Sequence, residues 1–356
     1  MDCCRRDFGT NPAEDGLAFV TRRNVLKGLV GTVAGFALAN PARVFAQGNR
    51  DISLAFCSQL LCVVPYEYTH ARGYFADEGL NVELVYTRGG NAAMQSLVGG
   101  AVDYAATSFD VALQAYSNNA PIRRFATTGR LPLFALAVSP QMTDSIREIG
   151  DLEGHTVGVS GLGNADHALM LFLLNYVGAD ANRVSFATVG VNLFDAVRLR
   201  HVDAGMVQEP ALSLLQDAGA SVLFNGMDID DANRYLGGPY EFMGVAVRDR
   251  EREERAEEME ALSRALANGL RALKEAPVEQ LVEALPRELI AGEDTDRLMR
   301  ILEEYRDSLY PDTTDIDLDS WNRVQEAHLA ADMLNAPLDL EGLLGHVPDA
   351  AKVGIG

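Results

Sequence analysis

A handful of side chains in this sequence combine type and placement in a way that suits contact with a small molecule. Cys57 and Cys62 bracket the stretch CSQLLC. Glu209 stands before Pro210, just beyond the strand-like run VDAGMV at 202–207. His167 lies one turn into a helical stretch that opens behind Ser160-Gly161-Leu162-Gly163-Asn164. Gly90, Asn91, Ser108 and Thr128 each sit where a β-rich run gives way to a loop or a helical pattern. Small or polar residues at a helix start leave backbone N–H groups free, and those groups with the helix dipole favour an anion or a carbonyl oxygen. Each position alone is an ordinary turn or cap. Their recurrence at equivalent places, after one strand after another, is what points to a site, because ligands of open parallel sheets sit beyond the carboxyl ends of the strands.

Other chemistries are excluded by what is missing. The Gly161-Leu162-Gly163 run lacks the third glycine of a dinucleotide fingerprint, since position 166 is Asp166. There is no G-x-x-x-x-G-K-[ST] phosphate loop, no G-x-S-x-G elbow and no H-E-x-x-H pair. Nothing organises a Ser-His-Asp triad, and the histidines other than His167 read as surface or packing residues. CSQLLC has neither a second cysteine pair nor histidines at zinc spacing, so no metal is expected. Cys57 and Cys62 therefore either pair as a disulfide, which an oxidising compartment permits, or stand as two buried or cavity-lining thiols. Arg88, Arg123 and Arg130 lie near strand ends and could pair with an anion; the simpler reading of each is surface charge. No cofactor and no catalytic residue are expected.

The elements that must position these residues follow an α/β grammar. The chain has 356 residues, 48% of them hydrophobic and 23% charged, which suits two domains of ordinary size. A formal net charge of −21 argues against nucleic acid or an anionic membrane surface as partner. At the N-terminus, Arg22-Arg23 precede the apolar run LVGTVAGFALA, which has signal-peptide length and is too short for a membrane span. Val44-Phe45-Ala46 then offers small residues where a signal peptidase reads, with cleavage before Gln47. The pattern resembles a twin-arginine (Tat) export signal over residues 1–46. Without those residues the chain keeps 24 basic and 47 acidic residues, net −23.

Strands are expected at 51–56, 80–86, 102–106, 121–128 and 133–138, with a helix at 66–72 and another that Asn91 caps. After a break at Ser139-Pro140 the rhythm restarts with strands at 156–159, 184–188, 202–207 and 221–224 and helices at 168–176 and 193–199. From Asp249 onward the pattern is helical, with a heavily charged outer face on the first long helix. Strands separated by helical patterns imply mostly parallel sheets.

Several short motifs then recur in a fixed order: GYF-x-x-EGL-x-V at 73–82, GG-N at 89–91, G-x-VD-Y-A at 100–105, DL-x-G-x-x-VGV at 151–159, the Gly/Ser loop with its histidine at 160–167, and VDA-x-x-x-x-EP at 202–210. Over nearly all of residues 51–340 this order resembles the solute-binding proteins of ABC importers, in the branch of sulfonate, taurine, nitrate and thiamine-pyrimidine-precursor binders. The resemblance implies a type II periplasmic-binding-protein fold, two mixed, mostly parallel α/β lobes joined by a two-strand hinge. Lobe I would comprise 47–138 with 237–356, and lobe II 139–236. It further implies that Tyr66, Gly90, Asn91, Ser108, Thr128, Gly161, Asn164, His167 and Glu209 line an interlobe cleft. The implied mechanism is hinge closure around a small molecule and delivery, as a monomer on the extracytoplasmic (periplasmic) face, to an ABC permease. The expected ligand is a small organic acid, a sulfonate or another nitrogen or sulfur compound, with a neutral pyrimidine-type thiamine precursor as the alternative. The basic cluster expected of sulfonate and nitrate members is missing at those positions. Outside transport, the same residues would serve a sensory binding protein, and the related synthases of the thiamine pyrimidine use a Cys-rich motif that CSQLLC does not match.

Overall fold

The first sheet is organised around the strand β1 (Arg50–Cys57), in which Ile52, Leu54, Ala55 and Phe56 are all buried. A continuous apolar run of this kind belongs to a central parallel strand covered on both faces. β2 (Leu80–Thr87) pairs with it in parallel, from Arg50 opposite Leu80 to Cys57 opposite Thr87. It is an edge strand: Leu80 and Val82 point inward while Asn81 and Glu83 are exposed. The structure, a computed structural model, describes residues 49–290, 292 and 294–345, within one compact unit, Gln47–Gly356. The twin-arginine segment and its cleavage point lie outside the described residues.

Between β1 and β2 run α1 (Leu60–Ala71) and the single turn α2 (Tyr74–Asp77), joined through Gly73 in the left-handed region at φ 80°. The sequence places this helix from residue 66, behind a loop that contains Pro65; α1 instead starts at Leu60 and runs through Pro65. Proline removes the N–H that would bond the carbonyl of Leu61. The Tyr310 hydroxyl donates to that carbonyl at 2.8 Å, so the interruption leaves no buried group unpaired. The chain continues through α3 (Gly90–Val98), β3 (Tyr104–Ser108), α4 (Phe109–Ser117) and β4 (Ile122–Thr127).

It then crosses to a second sheet with β5 (Ala135–Val138), β6 (Thr156–Val159), α5 (Ala165–Tyr176), β7 (Ser185–Thr188), α6 (Leu193–Arg198), β8 (Ala204–Val207), α7 (Ala211–Asp217), β9 (Ser221–Asn225) and the short α8 (Ile229–Asp231). The strand at 135–138, grouped from sequence with the first lobe, pairs antiparallel with β8 and β9 of the second sheet. β10 (Met243–Arg248) returns to the first sheet and lies antiparallel between β3 and β4. The two sheets thus have the same plan, β2-β1-β3-β10-β4 and β7-β6-β8-β5-β9. In each, three parallel strands are followed by one antiparallel strand that the chain enters by crossing over.

Four helices complete the described chain: α9 (Ala256–Glu275), α10 (Val278–Ala284), α11 (Thr295–Leu309) and α12 (Leu318–Ala330). α9 packs so closely on α1 that a Cβ at Gly269 would stand 1.9 Å from Thr69 Oγ1, which explains the glycine inside a helix. α12 touches α4 behind the first sheet and α5 behind the second. Its Trp321 stacks on Phe109 at a centroid distance of 4.4 Å. Beneath this contact Arg124 and Glu241 form an ion pair at 3.1 Å, with side chains 0% and 2% exposed.

Candidate ligand-binding site between the two sheets

The carboxyl ends of the parallel strands of both sheets open onto one cavity of about 510 Å³. That is the size of a pocket for a small organic molecule, roughly 300–1,000 Å³. The equal strand orders make the two walls correspond. The end of β1 contributes Cys57, and the end of β6 contributes Ser160; the loop after β2 brings Arg88 to Asn91, and the loop after β7 brings Gly190, held at φ 64°. β3 ends on Ser108, and after β8 come Gln208 and Glu209. Phe134 ahead of β5 and Phe242 ahead of β10 also line it, edge to face at 5.6 Å.

Of the residues named from sequence, Gly90, Asn91, Ser108, Asn164 and Glu209 line this cavity. Asn91 is not the helix cap expected of it: Gly89 is the N-cap of α3, and Asn91 falls within the first turn. Its side chain is therefore free to reach across, and Nδ2 donates to Asn164 Oδ1 on the opposite wall at 2.7 Å. Asn164 Nδ2 donates in turn to Ser160 Oγ at 2.9 Å, and Ser160 Oγ to Asp166 Oδ1 at 2.7 Å. Ser108 does cap α4, its hydroxyl accepting from Val111 N at 3.4 Å.

Tyr66, Thr128, Gly161 and His167 do not line the cavity. Tyr66 is fully buried behind the wall, bonded to Thr128 Oγ1 at 2.7 Å and stacked on Phe56 at 5.0 Å. The hydroxyls of this pair satisfy each other. His167 accepts from Gly163 N at 3.1 Å and packs edge-on against Phe186, and its partial burial lowers its pKa. Gly161 acts one step back: a Cβ there would meet Asn164 Nδ2 at 2.8 Å. It clears the space in which Asn164 folds over toward Asn91.

Two acidic residues line the cavity from the second wall, and both are buried. Asp166, with no exposure, accepts from Ser160 N and Oγ, and Glu209, 3% exposed, accepts from Ser213 N at 3.1 Å and Ser213 Oγ at 2.9 Å. Burial pushes both pKa values up, and the serine bonds partly offset it. Next to Glu209, the Gln208 side-chain oxygen is buried with no hydrogen-bond partner among the described residues. Arg88 at the rim is the sole basic residue among the described ones that line the cavity. Arg123 is paired with Asp249 at 3.1 Å and Arg130 donates to Ser308 O at 2.9 Å, so neither is available to it.

Sequence reasoning passed over Asp166, Gln208, Phe134 and Phe242. Gln208 had a signal, its place directly after the strand VDAGMV; the two phenylalanines had none, because they flank crossover strands rather than strand-to-helix loops. Cys57 and Cys62 are free, buried thiols that both line the cavity. Among the described residues no three His, Cys, Asp or Glu are grouped to hold a metal ion, and no helix is long and apolar enough to cross a membrane.

The family model described as NMT1/THI5 like matches residues 63–280, more than half of the chain, and the chain belongs to that family. The formylaminopyrimidine-binding protein of Halalkalibacterium halodurans is 26% identical over 287 residues, which cover 78% of this chain and 84% of that protein. Among solved structures, the ligand binding component of an ABC-type import system from Staphylococcus aureus superposes with a TM-score of 0.66 at 12% identity, over 86% of this chain and 99% of that one. The periplasmic aliphatic sulphonate binding protein SsuA of Escherichia coli gives 0.62 at 16% identity, over 83% and 97%. The chain has the type II periplasmic-binding fold, and the relatives it matches are binding proteins rather than enzymes.

Proposed function

We propose that this NMT1/THI5-like protein is an extracytoplasmic solute-binding protein that closes its two lobes on a small nitrogen heterocycle of the aminopyrimidine type and delivers it to an ABC permease. The observation that carries the ligand class is the chemistry of the cavity: two buried carboxyls, an unpartnered amide oxygen on Gln208, and one basic residue at the rim. Such walls accept hydrogen bonds, and an exocyclic amine or a ring N–H supplies them. Phe134 and Phe242 offer flat apolar surface to a ring. An anion is disfavoured. At an effective dielectric of about 20, a sulfonate about 5 Å from one ionised carboxylate is opposed by roughly 3 kcal/mol. The fold relationship to a sulphonate binder therefore does not extend to the ligand, and the pyrimidine alternative displaces the organic acid or sulfonate as the expected one. The name of the Halalkalibacterium relative points the same way.

The test is a thermal-shift and calorimetric comparison of formylaminopyrimidine, taurine, an alkanesulfonate and nitrate. A ligand at a hundred times its Kd adds about 2.7 kcal/mol and raises Tm by several degrees. The pyrimidine is expected to do so and the anions are not. Binding of a sulfonate or nitrate with no response to the pyrimidine overturns the ligand class. Chemical consumption of the pyrimidine during incubation overturns the binding-protein reading itself.

A further inference from the structure

An aminopyrimidine leaves one charge of the cavity unused, that of Arg88. Arg88 directly follows β2, the edge strand of its sheet, and is exposed at the rim. It forms no ion pair or hydrogen bond with another described residue. Asn91 and Gln95, four residues apart on one face of α3, line the cavity beside it, so this side of the first wall carries N–H donors. The acidic residues and the two phenylalanines lie elsewhere. Phe242 enters β10, which stands three strands from β2 in the order β2-β1-β3-β10-β4. At a strand spacing of about 4.8 Å, the phenylalanine end and the arginine end of this wall are about 14 Å apart. Space agrees with the separation. At the roughly 30 Å³ that liquid water allots a heavy atom, an aminopyrimidine ring with its amine takes about 210 Å³. That is less than half of the cavity of about 510 Å³.

We propose that the ligand is an aminopyrimidine with a short carboxylate arm, its ring against Phe134 and Phe242 and its carboxylate paired with the Arg88 guanidinium. The inference rests on the aminopyrimidine reading above and adds a second point of recognition to it. One guanidinium matches one negative charge, and its planar fork takes both oxygens of a carboxylate. A doubly charged phosphate ester would leave one charge unmatched in a cavity that Asp166 and Glu209 also line. The repulsion that disfavours a sulfonate belongs to an anion set against those two residues. Neither of them is ion-paired with Arg88, and at an exposed rim charges beyond a Debye length of about 8 Å are largely screened.

The test is calorimetric titration near neutral pH, at low and at high salt. The probes are formylaminopyrimidine and one aminopyrimidine ring carrying in turn a carboxymethyl, a carbamoylmethyl or a phosphate-ester arm. In the wild type the carboxymethyl compound is expected to bind at least about fivefold more tightly than the carbamoylmethyl one, with the ratio shrinking as salt rises. Arg88→Gln is expected to bring that ratio close to one, and Arg88→Lys to keep part of it, because the charge stays while the fork is lost. Urea midpoints show that both variants are folded. A wild-type ratio below about twofold, or a ratio that survives Arg88→Gln, overturns the inference and leaves the aminopyrimidine reading standing if formylaminopyrimidine still binds. Tighter binding of the phosphate ester than of the carboxylate overturns the match of charge. If no pyrimidine binds at all, the aminopyrimidine reading falls and the inference falls with it.

Discussion

Asn91→Ala tests lobe closure through a single bond. The Asn91–Asn164 hydrogen bond, at 2.7 Å, joins the two walls of the cavity directly. It exists only when the walls meet, so removing it weakens the closed form and leaves an open form untouched. Asn91 is exposed and Asn164 half-buried, and water replaces the lost partner on both sides. No orphaned group adds to the loss, and the net worth of the bond is about 0.5–1.5 kcal/mol. At 1.4 kcal/mol per tenfold, the Kd for formylaminopyrimidine should rise roughly two- to tenfold. The full factor appears only if the free protein is mostly open, because affinity falls with the closed fraction. Asp166 and Glu209 stand together on the second wall, and taking water away from two acidic residues as the walls meet works against closure until a ligand is bound. The free protein's unfolding free energy should accordingly change by less than about 0.5 kcal/mol. Calorimetric titration and urea unfolding measure the two quantities, and a cycle with Asn164→Ala isolates the pair, with a coupling of about 1 kcal/mol expected. An unchanged Kd together with a free protein destabilised by about 1 kcal/mol would refute the reasoning: the bond would then be part of a fixed scaffold and no latch.

Three further outcomes follow from neighbouring parts of the structure. Gly161→Ala places a methyl 2.8 Å from Asn164 Nδ2, so it should reproduce the Asn91→Ala affinity loss with little change in urea midpoint; wild-type affinity would mean that Asn164 does not need that space. Arg124→Leu leaves the buried Glu241 carboxyl without its guanidinium partner and removes donors from Thr107 O at 3.1 Å and Phe242 O at 3.0 Å. A loss of about 3–5 kcal/mol in urea unfolding is expected, and one below about 1 kcal/mol would show the pair to be dispensable. Burial raises Glu209 above its usual 4.5, so the native state holds that proton more tightly than the unfolded chain. The resulting stability is full below 4.5 and is lost as pH rises through the raised value. Glu209→Gln removes that loss while keeping an acceptor for Ser213, and Tm measured from about pH 4 to about pH 8 should rise relative to wild type toward the alkaline end; parallel curves would mean that Glu209 titrates normally.

How far the sequence could be read depended on whether each signal was local. The alternation of Leu80, Asn81, Val82 and Glu83 gave β2 because an edge strand has one wet face. The strand at 156–159 emerged with the same bounds because a Gly-rich turn closes it. Pro65 misplaced the start of α1, since the hydroxyl that repairs the helix comes from Tyr310, far along the chain. Within the site, a small polar residue at a strand end looks the same whether it lines the cavity, as Ser108 does, or is engaged behind the wall, as Thr128 is with Tyr66. Only the partner decides, and the partner is remote. In the sequence Gln208 and Asp166 are overshadowed by the proline after Glu209 and the absent glycine at 166, while what matters is the buried wall on which these residues stand.

The misgrouping of β5 has a more instructive cause. The strand at 135–138 follows β4 after a short connection, and in sequence it extends the rhythm of the first lobe. In space it is the counterpart of β10: each is the antiparallel strand of its sheet, and each is reached by crossing from the other sheet. The residues that enter these strands, Phe134 and Phe242, meet edge to face at 5.6 Å and line the cavity. The crossings and the binding surface are therefore built from adjoining residues. On the proposed hinge closure, a rotation of the lobes about these crossings would change the angle between the two rings, and a flat ligand held against them would resist it. Ligand grip and lobe movement then depend on the same contact. On this geometry, trimming Phe242 to leucine should weaken the ligand and loosen the closed state together, whereas trimming Leu193, on the far wall, should affect the ligand alone.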